Sequence, residues 1–364
     1  MANKFDILHA LDRKKNVILS GAPGTGKSRL LNEVAAIFSG QTTEPPEYEI
    51  NNAIPIPERI CEELIGCSIF EATNRKVFRT TLHQNSKYRD FLTGIIPSPN
   101  QPSSFKINKG ILYEANEYAK QPNSAALLII DELNRGPAIE VFGGSIVAIE
   151  PDKRLDSDNN IITTTQVFQI ISPEDGDMIS YAFSPHLYLL AAMNQADVSV
   201  APLDVAFLRR WEPIKLVPDY QCLAERFGFE LSSHPTECSS SQDAYNILVN
   251  ALQSINAKIR IGRGIDYEIG QGILLSTQAR DDELDSVLTF LIECWNMIYA
   301  HIQELFYGDA ISLGFMVNAD SEYSPYRIEH ATFAGESKTY ITHDEITNEN
   351  IIDLLIAVTE NVEN

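Results

Sequence analysis

Apolar positions along the chain fall into two patterns. Residues 16–20, 76–82, 126–131, 187–193 and 213–217 are short strand candidates, near-continuously apolar at 126–131 and 187–193, and each is followed by a helical or loop segment. Runs of this length predict strands buried on both faces, the pattern of a parallel sheet with crossover helices. The clearest helix is 29–38, RLLNEVAAIF, with apolar residues at helical spacing. From about residue 219 the helical period takes over, in NILVNALQSINAKI, LDSVLTFLIECWNMIYAHIQEL and the final NIIDLLIAVTENV. The expected organisation is an α/β core over residues 1–218 and a mostly helical lid over 219–364, with strand-like pieces in a C-terminal extension.

Three stretches interrupt the core. Residues 39–75 include QTTEPPEYEINNAIPIPERI, polar and rich in proline, which predicts an insertion. The run 94–108, GIIPSPNQPSSFKIN, reads as a second loop. Between 151 and 182 a hairpin insert is expected, with LDSDNN at 155–160 supplying the turn and IITTTQVFQIIS the strand propensity.

Composition narrows the class. The 364 residues are 44% hydrophobic and 21% charged, ordinary for a globular chain. No apolar run approaches the roughly 18 residues that span a bilayer. The N-terminal segment is charged and lacks a secretory core, so the expected location is cytoplasmic, with no membrane partner. Cysteines 61, 67, 222, 238 and 294 show neither C-x-x-C pairs nor zinc spacing, and are read as reduced thiols. A net charge of −22 opposes broad affinity for nucleic acid through the outer surface, though it leaves room for a locally basic channel.

Candidate chemistry sits at the ends of three predicted strands. After 16–20 comes Gly21-Ala22-Pro23-Gly24-Thr25-Gly26-Lys27-Ser28, which fits the phosphate-loop pattern G-x-x-x-x-G-K-[ST] at every required position. Glycines there let backbone N–H groups converge on phosphate oxygens, and the following helix adds its positive end. Lys27 is expected on the β- and γ-phosphates and Ser28 on Mg²⁺. The run AALLIIDE, 125–132, ends in Asp131 as a second Mg²⁺ ligand and Glu132 as the group that polarises the attacking water. HLYLLAAMN, 186–194, ends in Asn194, a neutral amide able to hydrogen-bond the γ-phosphate or the water. In 202–211, PLDVAFLRRW, a short helix carries Arg209 and Arg210. Adjacent side chains on a helix diverge by about 100°, so one can face a neighbouring copy as an arginine finger while the other braces its own chain.

Taken together, GAPGTGKS, TTLHQNSKYRDFLTGIIP (80–97), LLIIDELNRGPAIEVFGGSIVAIEPDKR (127–154) and FSPHLYLLAAMNQADVSVAPLDVAFLRRW (183–211) resemble the AAA+ motor domain of McrB-like proteins. Those are the nucleotide-driven subunits of methylation-dependent restriction systems. Weaker likeness continues into DYEIGQGIL (266–274) and LIECWNMIYAHIQELFYGD (291–309). The resemblance implies a ring homo-oligomer, a hexamer, that hydrolyses GTP or ATP with Mg²⁺. It also implies a McrC-like nuclease partner, with DNA engaged through the complex.

It further implies catalytic roles for Asp197, in the MN-x-x-D element, and for Arg135. The plainer readings are a helix cap for Asp197 and a salt bridge to Glu140 or Glu132 for Arg135. Departures from the family pattern are Gln195 and Val198 in MNQADVS, Leu208 before the arginine pair, and Gln271-Gly272 where the lid pattern has His-Ser. With no nuclease signature and about 15 residues ahead of the motor, cleavage and target recognition are expected on other polypeptides. The alternative is a MoxR-like chaperone ATPase acting on protein complexes.

Overall fold

The computed structural model describes residues 2–40, 63–64, 66–98, 101–196, 203–275 and 283–360. Its contacts divide the chain into two compact units, Met1–Gly21 with Lys27–Leu216, and Ala22–Gly26 with Val217–Asn364.

In the first unit, α1 (Lys4–Lys14) starts on a capping box. Asn3 accepts from the N–H groups of Phe5 and Asp6, and Asp6 accepts back from the Asn3 N–H. There follow β1 (Asn16–Gly21), α2 (Lys27–Ser39), β2 (Asn74–Thr81), α3 (Tyr88–Phe91), β3 (Thr93–Ser98) and β4 (Gln101–Lys109). After them come α4 (Ile111–Ala119), β5 (Ser124–Asp131), α5 (Ala138–Phe142), β6 (Phe168–Ile171), β7 (Met178–Tyr181), β8 (Leu187–Met193), α6 (Val205–Leu208) and β9 (Glu212–Leu216). Five of these strands form one sheet in the order β2-β5-β8-β1-β9. Every pairing in it is parallel. The five expected core strands are all present, and the three central ones are buried almost throughout.

Alternate residues of each strand face opposite layers. Val17, Leu19, Leu127, Ile129 and Leu190 pack with Leu8, Leu11, Leu30, Val34 and Phe38 of α1 and α2. Ile18, Leu128, Ile130, Leu189 and Ala191 meet a layer built around Phe142. That ring stands edge-on to Phe91, Phe207 and Trp211. Truncating a buried Phe of this kind costs about 3–5 kcal/mol.

A fully buried arginine stitches the N-terminal ends of two central strands. Arg154 donates to the carbonyls of Ile149, Ser184 and Leu187, and its Nη2 lies 2.6 Å from Asn16 Oδ1. Asn16 in turn donates to Ile149 O and Arg210 O, at 2.9 and 3.0 Å. No carboxylate pairs with this guanidinium among the described residues; carbonyl oxygens satisfy it instead.

Two expectations about the inserts change. Residues 94–108 are not a loop: β3 and β4 form an antiparallel hairpin, from Thr93↔Lys109 to Ser98↔Gln101. Pro97 and Pro102 lie near the turn end, where they cost the ladder least, and the segments 93–96 and 105–109 pair regularly. In the second insert β6 and β7 pair, but they turn through 172–177, not through 155–160. The Asp156 carboxylate accepts the N–H groups of Asp158 and Asn160, closing a local turn of its own. Thr165 bonds the Arg154 carbonyl, so 161–167 stays out of the ladder. Most of the 39–75 insertion lies outside the described residues.

The second unit contains α7 (Tyr220–Phe227), α8 (Ser241–Gly262), α9 (Gly272–Leu275), α10 (Leu284–Leu305), α11 (Ala310–Met316), the hairpin β10 (Tyr326–Phe333) and β11 (Glu336–His343), and α12 (Ile351–Thr359). Its core joins Leu248, Leu252, Ile255, Phe290, Leu291, Trp295, Leu354 and Leu355. Within it Trp295 Nε1 donates to Tyr326 Oη at 2.9 Å, which ties the hairpin to α10. Among the described residues no helix is long and apolar enough to cross a membrane.

Candidate nucleotide site

Parallel register brings three strand ends to one edge of the sheet. Ser20 is level with Met193, and Ile130 with Ala191, so β1, β8 and β5 release Gly21, Asn194 and Asp131 side by side. Ligand crevices of open α/β sheets lie at this carboxyl edge.

Gly24 and Gly26 have φ of 77° and 92°, conformations that a side chain would strain. Lys27 opens α2 and its Nζ donates to Gly21 O at 2.6 Å. Burial holds the Lys27 ammonium below its usual range, opposed by the nearby charges of Glu132 and then Asp131. This cation is held among anions at a helix start, where phosphate oxygens are well matched. Ser28 is exposed in the first turn of α2.

Asp131 Oδ1 accepts the Glu132 N–H at 2.9 Å, which leaves its other oxygen for a ligand. The hydroxyl of Ser28 and the carboxylate of Asp131 are hard oxygen donors of the kind that suit Mg²⁺. Glu132 takes a left-handed backbone, φ 52° and ψ 45°, unusual for a residue with a long side chain. Its Oε2 pairs with Arg135 Nε at 3.1 Å, so Arg135 meets Glu132 in its own chain.

Asn134 was not singled out in the sequence, although it stands inside DELNR. Its Nδ2 donates to the Asn194 carbonyl at 2.8 Å and locks the turn after β5 to the end of β8. The Asn194 side-chain oxygen accepts the Ala196 N–H at 3.3 Å.

The arginine pair divides as the helical offset requires. Arg210 is inward, with only 7% of its side chain exposed, and its Nε lies 2.9 Å from Glu150 Oε1. Its carbonyl is held by Asn16. Arg209 is exposed and lines an open cleft of about 720 Å³ with Arg13, Lys14 and Asp152. Asp204 caps the short helix, accepting from Ala206 N at 2.7 Å. Asp197 lies outside the described residues. Asn16, Glu150 and Arg154 escaped the sequence reading, because their roles arise only when distant strand ends meet.

In the second unit the loop Ala22–Gly26 is bonded to the turn before α9. Gly270 N donates to Pro23 O at 3.0 Å, Gly272 N to Gly24 O at 2.8 Å, and Gln271 Nε2 to Thr25 O at 3.3 Å. The substituted lid positions Gln271 and Gly272 are thus in direct contact with this loop. A Cβ on Gly270 would stand 2.1 Å from the Gly24 carbonyl carbon, so only glycine allows the approach.

The family described as AAA domain (dynein-related subfamily) matches residues 64–211. The EcoKMcrB subunit of the type IV methyl-directed restriction enzyme of Escherichia coli K12 is 28% identical over 215 residues, 59% of this chain and 38% of that one. Component YdiS of the type II restriction enzyme BsuMI of Bacillus subtilis 168 is 30% identical over 219 residues, 57% of this chain and 58% of that one. The chain therefore spans less than two thirds of the length of these curated relatives. The solved structure of C. elegans PCH-2 matches at 15% identity and a TM-score of 0.30, covering 98% of this chain and 67% of that one, a likeness too loose to carry any argument. The five-stranded parallel sheet with its strand-end residues has the α/β architecture of an AAA core, residues 64–211 match the AAA domain family, and the chain is similar to the McrB and YdiS restriction components.

Proposed function

We propose that the chain hydrolyses GTP or ATP between copies of itself arranged as a ring, a hexamer, and that the cycle moves or remodels DNA for a McrC-like nuclease in a restriction or antiviral system. The observation that supports this best is the gathering of Lys27, Asp131, Glu132 and Asn194 at one sheet edge while Arg209 stays exposed on the same unit.

Lys27 balances charge on the β- and γ-phosphates, and Ser28 and Asp131 hold Mg²⁺. When bound, that ion offsets the negative charge on the phosphate oxygens. Glu132 takes the proton of the attacking water, with Arg135 setting its side chain, and Asn194 orients the water by its amide. Charge growing on the γ-phosphate then needs a cation, and Arg209 of the adjacent copy supplies it. Arg210 is already engaged with Glu150 and holds the segment in place. Asp197, three residues after Asn194, orients the finger arginine or a water at the boundary between copies.

The test is hydrolysis of GTP and of ATP as a function of protein concentration. Specific activity that rises with concentration supports a site completed by a second copy. Constant specific activity down to the monomer overturns it.

A further inference from the structure

Positive charge is concentrated in one part of this acidic chain. Between residues 72 and 113 lie seven of its 28 Lys and Arg residues but one of its 50 Asp and Glu residues, Asp90. The remainder therefore holds 21 basic residues (28 − 7) against 49 acidic ones (50 − 1). Two of the seven are engaged internally: Arg75 donates to the carbonyls of Phe38 and Ala72, and Lys76 lies over the rings of Phe78 and Tyr118. Lys87, Arg89, Lys106 and Lys109 are exposed. Among the described residues the sole ion pair of these four is Arg89 with Asp90, at 4.0 Å.

The fold gathers three of the four: side chains alternate along β4, so Lys106 shares a face with Asn108 and with Gly94, against which Arg89 rests, while Lys109 points to the opposite face. Lys87, Arg89 and Thr93 line a cavity of about 460 Å³ with Tyr88, Ile170 and Met178. Arg89 lies over Gly94, where a Cβ would stand 2.3 Å from its own, and the Arg89 carbonyl accepts from Asn108 of β4. Lys109 pairs across the hairpin with Thr93, and Lys106 with Ile96. At the floor, Thr93 is 2% exposed, yet its hydroxyl has no hydrogen-bond partner among the described residues. Phe105, next to Lys106 in sequence, points to the opposite face of β4 with its ring 71% exposed.

We propose that this face, formed by the turn at 87–89 and the β3–β4 hairpin, binds the phosphodiester backbone of a nucleic acid. Unpaired ammonium groups and a guanidinium at a cavity mouth suit successive phosphates, and the Thr93 hydroxyl gains an acceptor. The chemistry stands apart from hydrolysis; only the role, a grip for the moved strand, rests on the motor reading.

The experiment measures anisotropy of labelled single-stranded and duplex oligonucleotides against salt, using the full chain. Lys87→Gln with Arg89→Gln is expected to lower the slope of log affinity against log salt by about 1.8 for duplex or about 1.4 for single strands, and Lys106→Gln by about half as much. Lys109→Gln, on the opposite face of β4, is expected to leave affinity and slope unchanged. Nucleotide hydrolysis without oligonucleotide stays at the wild-type rate in all three variants, which also shows that they fold. No binding by the wild type, or unchanged affinity and slope both in the Lys87→Gln, Arg89→Gln variant and in Lys106→Gln, overturns the proposal. So does loss of self-association in sedimentation with oligonucleotide binding unchanged, which assigns the face to an acidic protein surface. A wild type that binds oligonucleotide but hydrolyses neither GTP nor ATP removes the motor reading and keeps the binding face.

Discussion

Arg135 holds Glu132 by an ion pair, Nε to Oε2 at 3.1 Å, across a single turn in which Glu132 itself adopts a left-handed backbone. Both side chains remain partly solvent-exposed, so the pair adds about 0–1 kcal/mol to stability. Its consequence is the direction in which the carboxylate points. Glu132→Gln is expected to lower kcat about 10²–10⁴-fold for whichever nucleotide the wild type uses. Arg135→Ala is expected to lower kcat with KM and thermal midpoint close to wild type. Equal kcat for Glu132→Gln and wild type would remove Glu132 from catalysis.

The two arginines after α6 separate into different defects. Arg209→Ala is expected to abolish hydrolysis in a normally folded protein, and adding Lys27→Ala copies is expected to restore part of it, since each supplies what the other lacks. Arg210→Ala breaks a largely buried pair with Glu150 and is expected to lower the thermal midpoint, without rescue in such mixtures. Mixing rates and melting curves read the two effects. Rescue of Arg210→Ala but not of Arg209→Ala would reverse the assignment.

Gly270 tests the joint between the phosphate loop and the turn before α9. Gly270→Ala places a methyl carbon 2.1 Å from the Gly24 carbonyl carbon, so the turn must move. The expected cost is about 1–3 kcal/mol in chemical denaturation, with weaker nucleotide binding by titration. Gly144→Ala, whose Cβ meets nothing within 4 Å, is the control expected to change neither.

Lys258 gives the second unit a pH signature. Its buried Nζ lies 2.9 to 3.5 Å from the carbonyls of Val358, Phe315 and Met316, at the C-terminal ends of α11 and α12. Burial pulls its pKa from 10.5 down to about 8. Above about 8 the folded form has released a proton that the unfolded chain keeps until 10.5, so the unfolded state binds more protons in that window. Stability from this group therefore rises with pH across the window, and it is smallest below about 8. Denaturation midpoints of wild type relative to Lys258→Met are expected to climb over this range. A constant difference would refute the depressed pKa.

The strand ends were legible in the sequence because their signals are local. A buried run stopping at Asp131, or a glycine loop stopping at Lys27, needs no distant partner to be recognised. The same holds for the α/β order and the hairpin before β8. Asn134, Asn16 and Arg154 were silent, since their hydrogen bonds join positions 60 and 138 residues apart for Asn134 to Asn194 and Arg154 to Asn16. The β3–β4 hairpin was hidden by its prolines, and the 155–160 turn was real but closed on itself through Asp156 instead of linking strands. Local chemistry identified the 155–160 turn as a turn; what it connects is decided by tertiary pairing.

Arg154 carries a mechanical implication. One guanidinium grips Asn16 at the first residue of β1 and the carbonyl of Leu187 at the first residue of β8. Pinned at that end, the two strands can splay at the other but cannot slip past one another. Any signal passing from Lys27 to Asn194 would then be angular, a change in the gap between strand tips, and the register of the sheet would serve as its fixed pivot.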